Sequence, residues 1–124
     1  MKKSILYLSV TLLTFSTATF ATNVAITPTN VSSFYAKSTP LCIAIQKGEL
    51  DLVKKLIEYG ADVNEKSFGM TPLMVAARYN KVEIMKLLIS KGAVSNTKDE
   101  KGFTALKYAK HSNATGAIEL LKTV

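Results

Sequence analysis

The 124-residue chain sets 16 basic side chains against 9 acidic ones, a net charge of +7, and it contains one cysteine. A single cysteine excludes an intramolecular disulfide, so stability has to come from packing. The basic residues form no run of five or six, which argues against nucleic acid as a partner; a mild positive balance favours solubility and an acidic partner.

The opening segment, MKKSILYLSVTLLTFSTATFA, has the three parts of a secretory leader: Lys2 and Lys3, an apolar run from Ile5 to about Phe15, and small residues after it. The reading is a signal peptide over residues 1–21, cut after Ala21, with Ala18 as the alternative. A retained membrane anchor is the competing reading. The run is shorter than the ~20 apolar residues a span requires, and Ser9, Thr11 and Thr14 interrupt it. No cysteine stands directly after the cut, which argues against lipid attachment. Removing Lys2 and Lys3 leaves a net charge of about +5. The expected product is a monomer, periplasmic or secreted, without stable membrane insertion. Residues 22–37 read as a flexible lead whose Phe34 and Tyr35 cover the first helices.

From Ser38 onward the chain repeats itself. Thr39, Thr71 and Thr104 are spaced by 32 and 33 residues, and each opens the same series of signals. Threonine is a good helix N-cap, and Pro40 and Pro72 suit the first helical position; the third copy has Ala105 there. Short apolar faces follow at i, i+3, i+4 spacing: Leu41, Ala44 and Ile45, then Leu73, Ala76 and Ala77, then Leu106 and Ala109. Nine residues past each threonine stand Gly48, Asn80 and Asn113, residue types that tolerate the left-handed backbone of a tight turn. Longer second helices follow in LDLVKKLI, VEIMKLLI and GAIELL. The first two end at Gly60-Ala61 and Gly92-Ala93, where glycine terminates a helix. The stretches DVNEKSFGMT and VSNTKDEKGFT then read as hairpin-like loops, the first one residue shorter than the second.

A period of this size marks stacked helical hairpins. One hairpin cannot bury its apolar face, neighbours in a stack complete a continuous core, and about three units are needed.

These motifs resemble the ankyrin-repeat family, and GADVN at Gly60–Asn64 matches it closely. The resemblance covers about Ser38 to Val124. It implies an all-α solenoid of about three helix-turn-helix units joined by hairpin-like loops, with repeats near 39–70, 71–103 and 104–124. The family usually has histidine after threonine-proline-leucine. Cys42, Met74 and Lys107 stand there instead, so the histidine's loop bond is expected to be missing from every copy. The layout is that of small exported bacterial members.

Chemistry is not expected. The sole histidine, His111, and the sole thiol, Cys42, fall on the first helices of units one and three, too far apart for a nucleophile–base pair. One histidine and one cysteine fall short of a zinc site. The acids Glu49, Asp51, Asp99 and Glu100 suit helix starts and turns, and single glycines make no phosphate loop. No enzyme, metal or cofactor is expected, and Cys42 reads as a small, partly buried filler.

What remains is binding to another protein. Ankyrin-like stacks imply a docking surface of loop tips and short first helices. Mapped onto this chain, that surface takes Phe68 and Met70 from the first loop, Arg78 and Tyr79 from the central short helix, Lys101 and Phe103 from the second loop, and His111 from the last short helix. Gln46 extends it. Phe68, Arg78, Tyr79 and Phe103 are the expected centre; the competing reading folds the two phenylalanines back onto the helices. The expected role is a non-catalytic module that scaffolds or protects a partner protein. The alternative is a secreted effector or toxin-neutralising protein that also acts by binding.

Overall fold

The computed structural model describes residues 37–124. The leader, its cut, and the cover by Phe34 and Tyr35 lie outside the described residues. Six helices follow in order: α1 (Pro40–Lys47), α2 (Leu50–Glu58), α3 (Pro72–Arg78), α4 (Val82–Ser90), α5 (Ala105–His111) and α6 (Thr115–Lys122). The short helices α1, α3 and α5 pack side by side in one row, and α2, α4 and α6 form a second row behind them. The described chain is an all-α repeat stack.

Local chemistry sets each boundary. The hydroxyl oxygens of Thr39, Thr71 and Thr104 accept from the amides of Cys42, Met74 and Lys107 at 3.2, 3.2 and 3.3 Å. Each cap satisfies an amide that the helix itself leaves unpaired. Gly48, Asn80 and Asn113 take φ of 77°, 54° and 52°, the left-handed turn expected of them. Gly60 and Gly92 end the first two long helices at φ 99° and 93°. The second copy departs from the expected lack of a side-chain bond after threonine-proline-leucine. There the Met74 sulfur accepts from the Thr71 amide at 3.4 Å, so a soft acceptor occupies the histidine's place.

The core lies between the two rows. Ile45, Leu73, Met74, Val53, Met85 and Leu88 are fully buried. Alanines at the helix contacts, among them Ala76, Ala77, Ala109 and Ala117, bring the backbones close. The third unit differs in one detail from the expected face of Leu106 and Ala109. Ala105 and Ala109 are buried and Leu106 is only half-buried. Within the described residues this unit has a packing neighbour on the α3/α4 side only, and Leu106 packs against the core while partly exposed.

Polar bonds stitch the units together. Asn64 of the first loop donates to the Gly92 carbonyl at 3.1 Å and accepts from the Val94 amide at 2.9 Å. The Asn80 side chain accepts from the Ala117 amide at 3.0 Å, so the turn of the second unit caps α6 of the third. Helix α6 has no capping side chain of its own. Gly116 makes this approach possible: a Cβ there would stand 2.8 Å from Val82 Cγ2 and 3.3 Å from Asn80 Oδ1.

Candidate functional site

The two loops build their tips differently because their lengths differ. In the first, Ser67 and Met70 exchange backbone bonds of 2.8 and 3.0 Å across two residues. A two-residue hairpin with left-handed backbone at both central positions matches the right-handed twist of its arms. Gly69, at φ 78°, meets that demand without strain, whereas Phe68 is an aromatic residue held at φ 51°. The extra residue of the second loop removes the problem. Asp99 N donates to Phe103 O at 3.0 Å across three residues, and of those only Gly102 is left-handed.

Beneath the first tip lies a hollow of about 280 Å³. Helix α1 contributes Cys42 and Gln46, the loop contributes Phe68 and Met70, and α3 contributes Val75 and Arg78, followed by Tyr79. Ser67, buried beside it, is fully bonded: its hydroxyl donates to the Lys37 carbonyl at 3.2 Å and accepts from the Thr39 amide at 3.4 Å. Gln46 Nε2 donates to Tyr79 Oη at 3.0 Å, tying the first two units together along the rim. Four residues chosen from sequence, Phe68, Met70, Arg78 and Tyr79, therefore surround one space. Phe68 is 51% and Tyr79 40% exposed, large apolar surfaces at its edge. Cys42 is buried, and desolvation raises its pKa despite bonds to Thr39 and Ser67. At neutral pH it is a protonated thiol in the floor, without thiolate reactivity.

Arg78 also borders two further hollows. One, of about 180 Å³, lies between the loop tips and is lined by Phe68, Met70, Lys101 and Tyr108 along with Asp99 and Glu100. The other, of about 310 Å³, is lined by Arg78, Lys101, Tyr108, His111 and Ser112. Through the shared arginine the three make one groove along the short helices. Phe103 is placed differently from the other chosen residues. Its ring meets Tyr108 edge-on at 5.6 Å and stacks on His111 at 6.3 Å, with Lys107 Nζ 3.9 Å from its centre. It braces α5 and holds the His111 ring at the end of the groove.

Tyr108 joins the second loop to the groove. Its hydroxyl donates to Asp99 Oδ2, while Asp99 Oδ1 accepts from the amides of Lys101 at 2.9 Å and Phe103 at 2.7 Å. The Tyr108 bond is the main cause of the lowered Asp99 pKa. Desolvation, followed by the bond to Asp99 and its charge, pushes Tyr108 from 10.0 up to about 12. A carboxyl with a lowered pKa contributes stability above its ordinary range and loses it as pH falls through the folded value. A phenol with a raised pKa contributes below 10.0 and loses the contribution toward about 12. Tyr108→Phe is accordingly expected to lower the melting temperature between about pH 5 and 9, with the gap to wild type closing at both extremes. Melting curves across pH test this; a gap independent of pH would mean that the hydroxyl stabilises the loop by something other than the Asp99 pair.

Among the described residues no cluster of three or more histidine, cysteine or acidic side chains is placed to hold a metal ion, and no helix is long and apolar enough to cross a membrane. A search of curated proteins finds no match to the sequence. The sequence profile described as "Ankyrin repeats (3 copies)" does match, over residues 41–123. That span takes in all three helical hairpins and every residue of the groove from Cys42 to Ser112. The chain belongs to the ankyrin-repeat family and is, as such, a module for protein–protein interaction.

Proposed function

We propose that this chain is an exported, non-catalytic binding module, a monomer that scaffolds or protects a partner protein in the periplasm and docks it in the groove centred on Arg78. The observation that carries the reading is Phe68. A half-exposed aromatic ring at φ 51° sits at the tip of a hairpin that would accept asparagine or glycine more easily. Left-handed backbone at a bulky residue is strained, and such strain gathers at functional sites. The ring overhangs a hollow with Cys42, Met70 and Val75 in its lining, and Gln46, an arginine and a second aromatic around them. Aromatic residues and arginine are the usual anchors of binding energy. Export rests on the three-part leader.

Crosslinking in the native compartment followed by mass spectrometry tests the reading. The wild-type chain is expected in the periplasmic fraction, crosslinked to a discrete partner. Exchange of Phe68, Arg78, Tyr79 and Phe103 for alanine is expected to abolish that crosslink. The same partner captured equally by the exchanged chain would refute the groove as the docking face.

A further inference from the structure

We infer that the groove takes an extended acidic segment of the partner, with one large apolar side chain in the hollow under Phe68 and a neighbouring carboxylate on Arg78. The inference rests on the groove being the docking face and adds the chemistry of what docks there.

Size is the first argument. At about 280 Å³ the hollow stands at the small end of ligand sites and has room for one large side chain. Cys42, Met70 and Val75 join the Phe68 ring in a lining that is mainly apolar, with Ser38, Gln46 and Ser67 as its polar part, and this favours an apolar insert.

Charge is the second. Arg78 borders all three hollows, and no acidic residue lines the first or the last of them. The one ion pair among the described residues, Lys86–Glu83, lies on α4, so neither Arg78 nor Lys101 is held in one. Of the two acids beside the middle hollow, Asp99 is occupied by two amides and the Tyr108 hydroxyl. Glu100 is the acid left to oppose two cations. Arg78 instead leans on the Tyr79 ring at 5.8 Å, which keeps its guanidinium at the rim and suited to a carboxylate.

Hydrogen bonding is the third. Tyr79 Oη accepts from Gln46, and a hydroxyl that accepts can still donate its proton to an acceptor such as a peptide carbonyl passing over the rim. An extended backbone with an apolar side chain down and an acid beside it meets all three demands. A polyanion such as nucleic acid meets the second and third but brings no apolar side chain for the first.

The test titrates the full chain into a fluorescein-labelled nonapeptide, Gly-Ser-Gly-Asp-Phe-Glu-Gly-Ser-Gly, and reads anisotropy and amide shifts. Three comparison ligands accompany it: the same peptide with both acids changed to lysine, the same peptide with its phenylalanine changed to serine, and a deoxythymidine decamer. The acidic peptide is expected to bind about 10-fold more tightly than the lysine peptide, as follows when exposed charge pairs go from attraction to repulsion. The serine peptide should bind more weakly than the acidic one, and high salt should erase the preference for acid. Arg78→Glu should reverse that preference, an outcome that a merely unfolded variant does not give.

Equal or tighter binding of the lysine peptide, equal binding of the decamer, or no binding of the acidic peptide overturns the inference. The groove reading is judged separately, from where the shifts fall. If the lysine peptide wins but moves Phe68, Arg78 and Tyr79, the docking face stands and its acidic partner does not. If bound peptides move only residues outside the groove, both are lost.

Discussion

Leu88→Ala is expected to lower stability by about 2–5 kcal/mol, the usual cost of emptying a fully buried leucine site. Leu88 has no exposed surface and sits in α4, which packs against α2 on one side and α6 on the other. A stack of this length has only about 4–13 kcal/mol to lose, at ~0.05–0.15 kcal/mol per residue. In a repeat protein stability is a sum of unit and interface contributions, so damage to the middle unit weakens two interfaces at once. The melting temperature should fall by at least about 8 °C, and the transition should broaden or vanish. Leu121→Ala supplies the contrast. It removes the same atoms from α6, whose long-helix contact is with α4 alone, and it should cost less. Melting curves for both variants decide the matter: equal losses would mean that the units are not coupled in a row, and an unchanged Leu88→Ala curve would contradict the packing itself.

The sequence made the hairpins legible because their boundaries are local chemistry. A threonine cap, a proline at the first helical position and a left-handed glycine or asparagine each act within about one turn, and each recurs at a fixed spacing. The same spacing lines up the groove: Gln46, Arg78 and His111 all stand seven residues after their threonines. The cross-unit bonds were not legible. Asn80 stands out as a repeating turn residue and Asn64 as part of GADVN, yet their partners Gly92, Val94 and Ala117 lie about 28–37 residues away, and no local pattern pairs them. Phe103 shows a different gap. It shares its repeat position with Met70, but one extra loop residue and the nearby Tyr108, Lys107 and His111 draw its ring onto α5. Residue type and register do not resolve that choice; the loop's length and its neighbours do. The strain at Phe68 follows from the same difference of one residue, since only the shorter loop requires two left-handed positions in succession.

Phe68→Asn is expected to separate binding from folding. Asparagine adopts the left-handed backbone far more readily than phenylalanine, whose presence there costs about 1–2 kcal/mol. The ring returns part of that by burial: it is 51% exposed, and burying about half of a phenylalanine is worth roughly 1 kcal/mol. The two effects nearly cancel, so the variant's stability should stay within about 1 kcal/mol of wild type, a shift of no more than roughly 8 °C. Affinity should behave quite differently. If Phe68 is an anchor, its loss is worth about 2 kcal/mol or more, a weakening of about 30-fold. That loss should be seen both for the acidic nonapeptide and for the crosslinked partner. Melting and titration of the same preparation check both halves. Unchanged affinity would remove Phe68 from the docking face. A large loss of stability would mean that the ring is a structural plug and that its backbone strain serves the fold. A stable hairpin with little affinity would mean that the chain keeps a strained aromatic at this tip for what it grips.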